Sequence, residues 1–216
     1  MDFSAARRNM VERQVRTNKV TDEAVLEALA QLPRERFVPE SLSAVAYIDE
    51  DVPLGNGRYL MEPMVFARLV QAAQLQPGDR VLDLGCGCGY STAILSRLAN
   101  QVIALESDSG LAQLARERLD ELSIGNAAIV EGPLEKGWPE QSPYNAIVLG
   151  GAAEVIPDAV MNQLADGGRL VGVENRGGIG RAMLYLCHRG VVSGRPLFDA
   201  AIALLPGMAL ERSFVF

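Results

Sequence analysis

The run Val81-Leu82-Asp83-Leu84-Gly85-Cys86-Gly87-Cys88-Gly89-Tyr90 constrains this chain more than any other stretch. It opens as a buried strand and passes at once into three glycines at alternate positions, so the backbone must turn tightly before a helix begins at Tyr90. A turn without side chains at the carboxyl end of a strand lets a ligand approach the main chain and the first N–H groups of the helix. Around this turn, strands and helices alternate. Strands are predicted over 80–84, 101–105, 127–130, 144–149 and 169–173, and helices over 90–98, 111–122 and 157–164. Pro63 opens a further helix at the tolerated first position. Short apolar strands alternating with amphipathic helices build βαβ units, so the predicted fold is α/β, a Rossmann-like doubly wound, mainly parallel sheet.

The flanks of this core read differently. Roughly the first 30 residues show apolar positions at helical spacing, with Thr21 as the expected N-cap of the second half and Pro33 as its end. Residues 33–63 are rich in Pro and Gly with little periodicity, and a long irregular segment inside a compact domain tends to carry function. After Glu174, residues 181–187, 190–196 and 213–216 read as strands with Gly-containing turns, which predicts antiparallel edge strands. The expected organisation is a single domain over 1–216. It comprises an N-terminal helical cap and substrate loop (1–62), a cofactor-binding core (63–174) and C-terminal edge strands (175–216).

The glycine turn also narrows the ligand. The spacing is G-x-G-x-G, whereas the dinucleotide fingerprint G-x-G-x-x-G would need glycine where Tyr90 stands. Asp83, two residues before the first glycine, suits the ammonium group of the methionine part of S-adenosylmethionine (SAM) and would sit badly beside a pyrophosphate. Glu106 ends the predicted strand after the turn, 17 positions beyond Gly89. A carboxylate there accepts hydrogen bonds from both ribose hydroxyls. Together the two acids point to SAM rather than a dinucleotide.

Composition removes other classes. The 216 residues carry a formal net charge of −7 with scattered Lys and Arg, whereas a nucleic-acid binder needs a basic face. No apolar run is long enough for a membrane span, and the basic N-terminus is followed by no apolar stretch, so a cytoplasmic protein is expected. Three cysteines (Cys86, Cys88, Cys187) and one histidine (His188) argue against a disulfide framework and against a zinc site, so no metal is expected. Buried reduced thiols are the expectation.

Beyond the core motif, several stretches resemble the protein-L-isoaspartate O-methyltransferase family over nearly the full length of the chain. They are Pro33-Arg34-Glu35-Arg36-Phe37-Val38-Pro39, Ala46-Tyr47-Ile48-Asp49 and Pro53-Leu54-Gly55-Asn56-Gly57. Pro143-Tyr144-Asn145-Ala146-Ile147 and the run from Gln163 to Val171 join them. The glycine turn is shared by many methyltransferases, but Arg-x-x-Phe-Val-Pro followed by Ala-Tyr-x-Asp and Gly-x-Gly is far more specific. The resemblance implies a SAM-dependent carboxyl O-methyltransferase of the class I fold that repairs peptides and proteins by methylating the free carboxylate of isomerised aspartyl residues. It also implies that Asp83, Gly85, Gly87, Gly89 and Glu106 hold the cofactor, with Ser107 and the turn Gly132-Pro133-Leu134 along the adenine.

The chain departs from the family pattern where the acceptor would sit. After Gly-x-Gly the family usually reads Gln-Thr-Ile-Ser-x-Pro, and here the run is Arg58-Tyr59-Leu60-Met61-Glu62-Pro63, with Met61 in the place of the serine. The usual Gly-Asp-Gly at the adenine edge is Gly132-Pro133-Leu134. Arg58, Tyr59 and Met61 are the candidate substrate-binding residues, with Arg58 offering its planar fork to a substrate carboxylate. Two alternatives stay open on these residues: the same machinery directed at another carboxylate, and a SAM-binding module without turnover. Other conspicuous residues have plainer readings. Glu62 caps the helix dipole, His188 lies in a turn, Trp138 anchors a loop, and 176–181 form a glycine-rich hairpin or edge loop.

Overall fold

The computed structural model describes residues 1–210, so the strand expected over 213–216 lies outside the described residues. Helix α1 (Phe3–Met10) continues as a π and then a 3-10 turn to Asn18, where Lys19 adopts φ +68° and stops it. Helix α2 (Glu23–Gln31) starts afresh. Its N-cap is Asp22 and not Thr21: the Asp22 carboxylate accepts from the N–H groups of Ala24 and Val25. The Thr21 N–H turns away to donate to the Gln71 side chain. The acidic side chain one residue on reaches the orphan donors of the first turn and adds charge where the helix dipole favours it.

The irregular stretch between the two prolines contains an element that periodicity did not show. Strands β1 (Val52–Gly55) and β2 (Arg58–Leu60) form a hairpin. Its turn is Asn56-Gly57 with φ +51° and +72°, the geometry that a two-residue hairpin requires and that Asn-Gly supplies. Burial alternates along β2, with Arg58 and Leu60 inward and Tyr59 out.

Helix α3 (Pro63–Ala73) then leads into β3 (Arg80–Leu84), α4 (Tyr90–Leu95), β4 (Gln101–Glu106), α5 (Ser109–Glu121) and β5 (Ala127–Glu131). The chain crosses back through β6 (Tyr144–Ala153) and α6 (Asp158–Met161) to β7 (Leu164–Arg176), β8 (Ile179–His188) and β9 (Val191–Asp199). The sheet order is β5-β4-β3-β6-β7-β8-β9, parallel through β7 and antiparallel from β7 to β9. The chain leaves β3 in one direction to β4 and β5, then returns to β6 on the other side. That reversal opens a crevice at the carboxyl ends of β3, β4 and β6. Alternate residues serve opposite faces. Val81, Val102, Val148 and Val171 pack under the N-terminal helices and α3, whereas Leu82, Ile103, Ile147 and Leu170 pack with Leu134, Tyr144 and Val160. Burial on both faces is why these strands read as continuous apolar runs.

Several elements differ in length from expectation; β6, for one, runs on to Ala153 rather than 149. Helix α4 ends at Leu95 rather than 98, and α6 covers only Asp158–Met161 within the 157–164 helix pattern. Strand β7 opens at Leu164, five residues before the predicted start. Tertiary contacts decide the last two. The Gln163 side chain accepts from the Trp138 N–H and donates to the carbonyls of Lys136 and Ala159, which ends the helix and launches the strand beside Tyr144. The glycine-rich run at 176–181 is a hairpin turn through Gly177-Gly178, and Arg189-Gly190 turns the next one directly after His188. No described helix is long and apolar enough to cross a membrane.

Arg169 ties the end of α3 to the sheet. Its guanidinium donates to the carbonyls of Ala73, Gln74 and Asn145 and pairs with Asp79 at 2.6 Å. Because Asp79 and three helix or strand carbonyls would lose their partner together, Arg169→Ala is expected to lower the unfolding free energy by about 2–4 kcal/mol. Arg169→Lys should recover only part of the loss, since an ammonium cannot reproduce the fork. Urea unfolding followed by circular dichroism measures both.

Candidate active site

The crevice is built from the two acids and the glycine turn. Asp83 is completely buried near the end of β3. One oxygen accepts from the hydroxyls of Ser91 and Thr92, both 2.7 Å away on the first turns of α4. The other oxygen, Oδ1, is buried with no hydrogen-bond partner. Burial raises the Asp83 pKa from 3.8 to about 6, and Glu106 acts in the same direction against the two hydroxyls and Arg58.

Glu106, also completely buried, ends β4. Its Oε1 accepts from the Ser107 and Asp108 N–H groups at 2.8 and 3.1 Å and from the Ser107 hydroxyl at 3.3 Å. Its Oε2 accepts from the Gly87 N–H at 2.7 Å and from Arg58 Nη2 at 2.9 Å. Glu106 therefore holds the glycine turn, the start of α5 and the β1–β2 hairpin at a single point. Asp108 strengthens the arrangement. It caps α5 through the Leu111 N–H and accepts from the Asn56 side chain at the hairpin tip, contacts that hold its carboxyl below the usual range.

The glycines divide into two roles. A Cβ on Gly85 would stand 2.8 Å from a Leu205 methyl, and one on Gly87 would stand 3.1 Å from Leu54. These two positions face the crevice. Gly89 faces the other way, where a Cβ would stand 3.1 Å from Ala115 Cβ on α5. Its missing side chain serves helix packing, the role of the third glycine in such turns. On the far side of Glu106, the Gly132 N–H donates to the Glu106 carbonyl, and Leu134 is fully buried. Ser107, Gly132 and Pro133 thus share one rim.

The candidate acceptor residues lie on the second strand of the hairpin, Arg58 and Tyr59, and just beyond it, Met61. Met61 is 5% exposed, Tyr59 is 40% exposed at the mouth and Arg58 is 3% exposed. Met61, Tyr59, Leu54, Phe66, Ser91 and Gly150 border a narrow cavity of about 330 Å³, its open mouth included. Arg58, whose fork the sequence offers to a substrate carboxylate, here donates through Nη2 to Glu106 and to the Gly85 carbonyl, both at 2.9 Å. Glu62 makes no side-chain capping bond. Asp49 caps α3 in its stead through the Met64 N–H, and burial together with Asp49, Asp51 and Glu50 raises the Glu62 pKa to about 7.

Two contributors escaped the sequence reading. Arg34 is fully buried, donates to the carbonyls of Ala46 and Met61 and lies over the Tyr90 ring at 4.9 Å, so it fixes the strap that carries Met61. Its place in the Arg-x-x-Phe-Val-Pro motif was the available signal. The segment 202–205 was invisible, because it has no periodicity. It pairs with Ala152 and lays Leu205 over Gly85 and Gly151, and the pair Gly150-Gly151 was the trace of that close approach. All three cysteines are buried free thiols, and burial drives Cys86 and Cys88 well away from reactivity, Cys88 up to about 12.

These residues fit SAM on their own chemistry. A buried carboxylate oxygen with no donor awaits one, a second carboxylate stands at the next strand end, and two glycines leave the backbone open between them. A doubly wound sheet ending in this pair defines a class I SAM-dependent methyltransferase. Within that class the chain belongs to the protein-L-isoaspartate(D-aspartate) O-methyltransferase family, whose model matches residues 5–182. A Methylorubrum extorquens protein-L-isoaspartate O-methyltransferase is 41% identical over 189 residues, covering 88% of this chain and 82% of the relative. An Anaeromyxobacter protein of the same name is 44% identical over 165 residues, covering 76% and 68%. A solved protein-L-isoaspartate O-methyltransferase superposes with a TM-score of 0.81 at 25% identity, over 93% of this chain and 66% of that one. A Plasmodium falciparum structure described by the same activity and holding S-adenosyl-L-homocysteine gives 0.76 at 22% identity, covering 93% and 96%. SAM is the cofactor of the family.

The raised Asp83 pKa has a sign that can be tested. The folded state binds this proton more tightly than the unfolded chain, so ionising Asp83 costs stability as pH rises from about 4 to about 6, and the cost is complete above that. At pH 8, Asp83→Asn is expected to match or exceed the wild type in urea unfolding while binding S-adenosylhomocysteine at least about tenfold more weakly. The wild-type affinity should itself fall below pH 6 by calorimetry, and the variant's should not.

Proposed function

We propose that this chain methylates the free carboxylate of isoaspartyl residues in peptides or proteins, with its own residues dividing the work as follows. Asp83, Gly85, Gly87, Glu106, Ser107 and the turn Gly132-Pro133-Leu134 hold the cofactor, and Gly89 supports them by letting α5 pack close. Arg58, Tyr59 and Met61 meet the acceptor. The bound cofactor supplies an electrophilic methyl group on a sulfonium sulfur. The acceptor is already ionised at neutral pH, since a free α-carboxyl titrates near about 3.5. No side chain has to remove a proton, so the serine that Met61 replaces is dispensable as a base.

The protein's task is then alignment and exclusion of water. Met61, buried and held through its carbonyl by Arg34, presents an apolar wall at the crevice. Tyr59 stands at the open edge, where an extended peptide would pass. Arg58 supplies the cation that orients the carboxylate, and it alone among the three carries charge. What supports this reading is the convergence on one crevice of an unpartnered Asp83 oxygen, Glu106 and the Gly85–Gly87 backbone. The hairpin bearing Arg58, with Met61 just beyond its second strand, borders the same crevice.

The assay is transfer of labelled methyl from SAM to an isoaspartyl peptide beside its normal aspartyl counterpart. Base-labile label in the first alone is the expected result, and label in neither would defeat the proposal. Arg58→Ala is expected to reduce kcat/KM by about 10- to 100-fold, the worth of one charge-assisted contact, mainly through the KM of the peptide.

A further inference from the structure

We infer that Arg58 is an exchange residue: cofactor binding displaces its guanidinium from Glu106 and delivers it to the acceptor carboxylate, so the cofactor must bind first. The inference rests on the reading that Arg58 meets the acceptor. Its starting point is the count of partners at Glu106. A carboxylate offers about four lone-pair directions. In the structure these take the N–H groups of Gly87, Ser107 and Asp108, the Ser107 hydroxyl and Arg58. No direction remains for a ribose hydroxyl.

The three backbone donors cannot leave, because each belongs to a strand end, the glycine turn or a helix start. The two side-chain donors can. Arg58 on Oε2 and the Ser107 hydroxyl on Oε1, at 3.3 Å the longest of the set, occupy one oxygen each. Two vicinal hydroxyls replacing those two donors would leave Glu106 satisfied on both oxygens. The Arg58 fork also blocks the approach. Its Nη2 would stand 3.3 Å from a Cβ on Gly85, over the backbone that the cofactor has to cross.

Displacement leaves a cation that needs a partner. Arg58 is 3% exposed, and its Nε is already buried without an acceptor, so the side chain is under-satisfied before it moves. A buried guanidinium stripped of its carboxylate is costly, and a carboxylate arriving at the mouth beside Tyr59 removes that cost. Arg58 also borders the recess formed with Met61 and the 202–205 segment, so a short swing of the fork brings it to the acceptor side. The charges close: Glu106 exchanges a cation for neutral hydroxyls, and the cation is taken up by the substrate's own anion. A glutamine at this position could not enforce the order, because it carries no charge to strand.

Calorimetry with S-adenosylhomocysteine tests the exchange without turnover. Arg58→Gln is expected to bind it about tenfold more tightly than wild type, because no ion pair has to break first. Arg58→Lys, which keeps the charge, should stay within a few-fold of wild type and controls for folding. Wild type is expected to bind an isoaspartyl peptide only when S-adenosylhomocysteine is present, and Arg58→Gln to bind that peptide at least about tenfold more weakly in its presence. Equal cofactor affinity in wild type and Arg58→Gln would overturn the exchange, as would peptide binding by wild type that ignores the cofactor. If the affinity rises as expected but no isoaspartyl peptide is bound or methylated, displacement from Glu106 stands and delivery to this acceptor falls. The assignment of the acceptor then fails separately from the displacement.

Discussion

The Glu106 carboxylate is the point to which the rest of the crevice is tied. Completely buried, it takes its hydrogen-bond donors from three parts of the fold: the Gly87 turn after β3, the start of α5 and the β1–β2 hairpin. A buried charge satisfied by backbone N–H groups is rigid, since those groups cannot rotate away. The same contacts that stabilise the carboxylate therefore set the distance between the ends of β3 and β4 and seat the hairpin over the glycine turn. Every candidate site residue takes its position from this arrangement or lies within one strand of it.

Asp83 works under the opposite condition. It has only two hydroxyl donors and one oxygen without any, in an environment that raises its pKa to about 6. An under-satisfied buried carboxylate is a cost to folding, and such costs persist where they serve binding. The two acids thus differ in this structure: one is saturated with donors and anchors the crevice, and the other keeps an oxygen without any. This difference explains why strands as apolar as β3 and β6 tolerate one buried carboxylate near the carboxyl end of β3.

Replacement of the family serine by methionine is less disruptive than the motif suggests, for a chemical reason. An acceptor that is already an anion makes no demand for a base, and a position without proton-transfer duty is free to become an apolar wall. Arg34 keeps that wall in place from behind by binding the Met61 carbonyl, which does not depend on the side chain at that position. The strap is specified by backbone contacts, so its side chains can vary while its path does not.

Local sequence carried the strand-to-helix alternation, the glycine turn, both acids and the antiparallel edge, because period, turn chemistry and a carboxylate at a strand end are short-range signals. It also placed the Arg58 run over the site by family resemblance. It missed the β1–β2 hairpin, since four- and three-residue strands show almost no periodicity and only Asn56-Gly57 announced the turn. The early start of β7 and the brevity of α6 depend on Gln163 reaching Trp138 and Lys136, contacts separated by some 25 residues that no local pattern encodes. The direction of Arg58 is the clearest case. The chain states that an arginine stands at this position. Only the folded hairpin, seated over the glycine turn, directs its fork inward onto Glu106, because the buried carboxylate at the end of β4 is the charged acceptor within its reach.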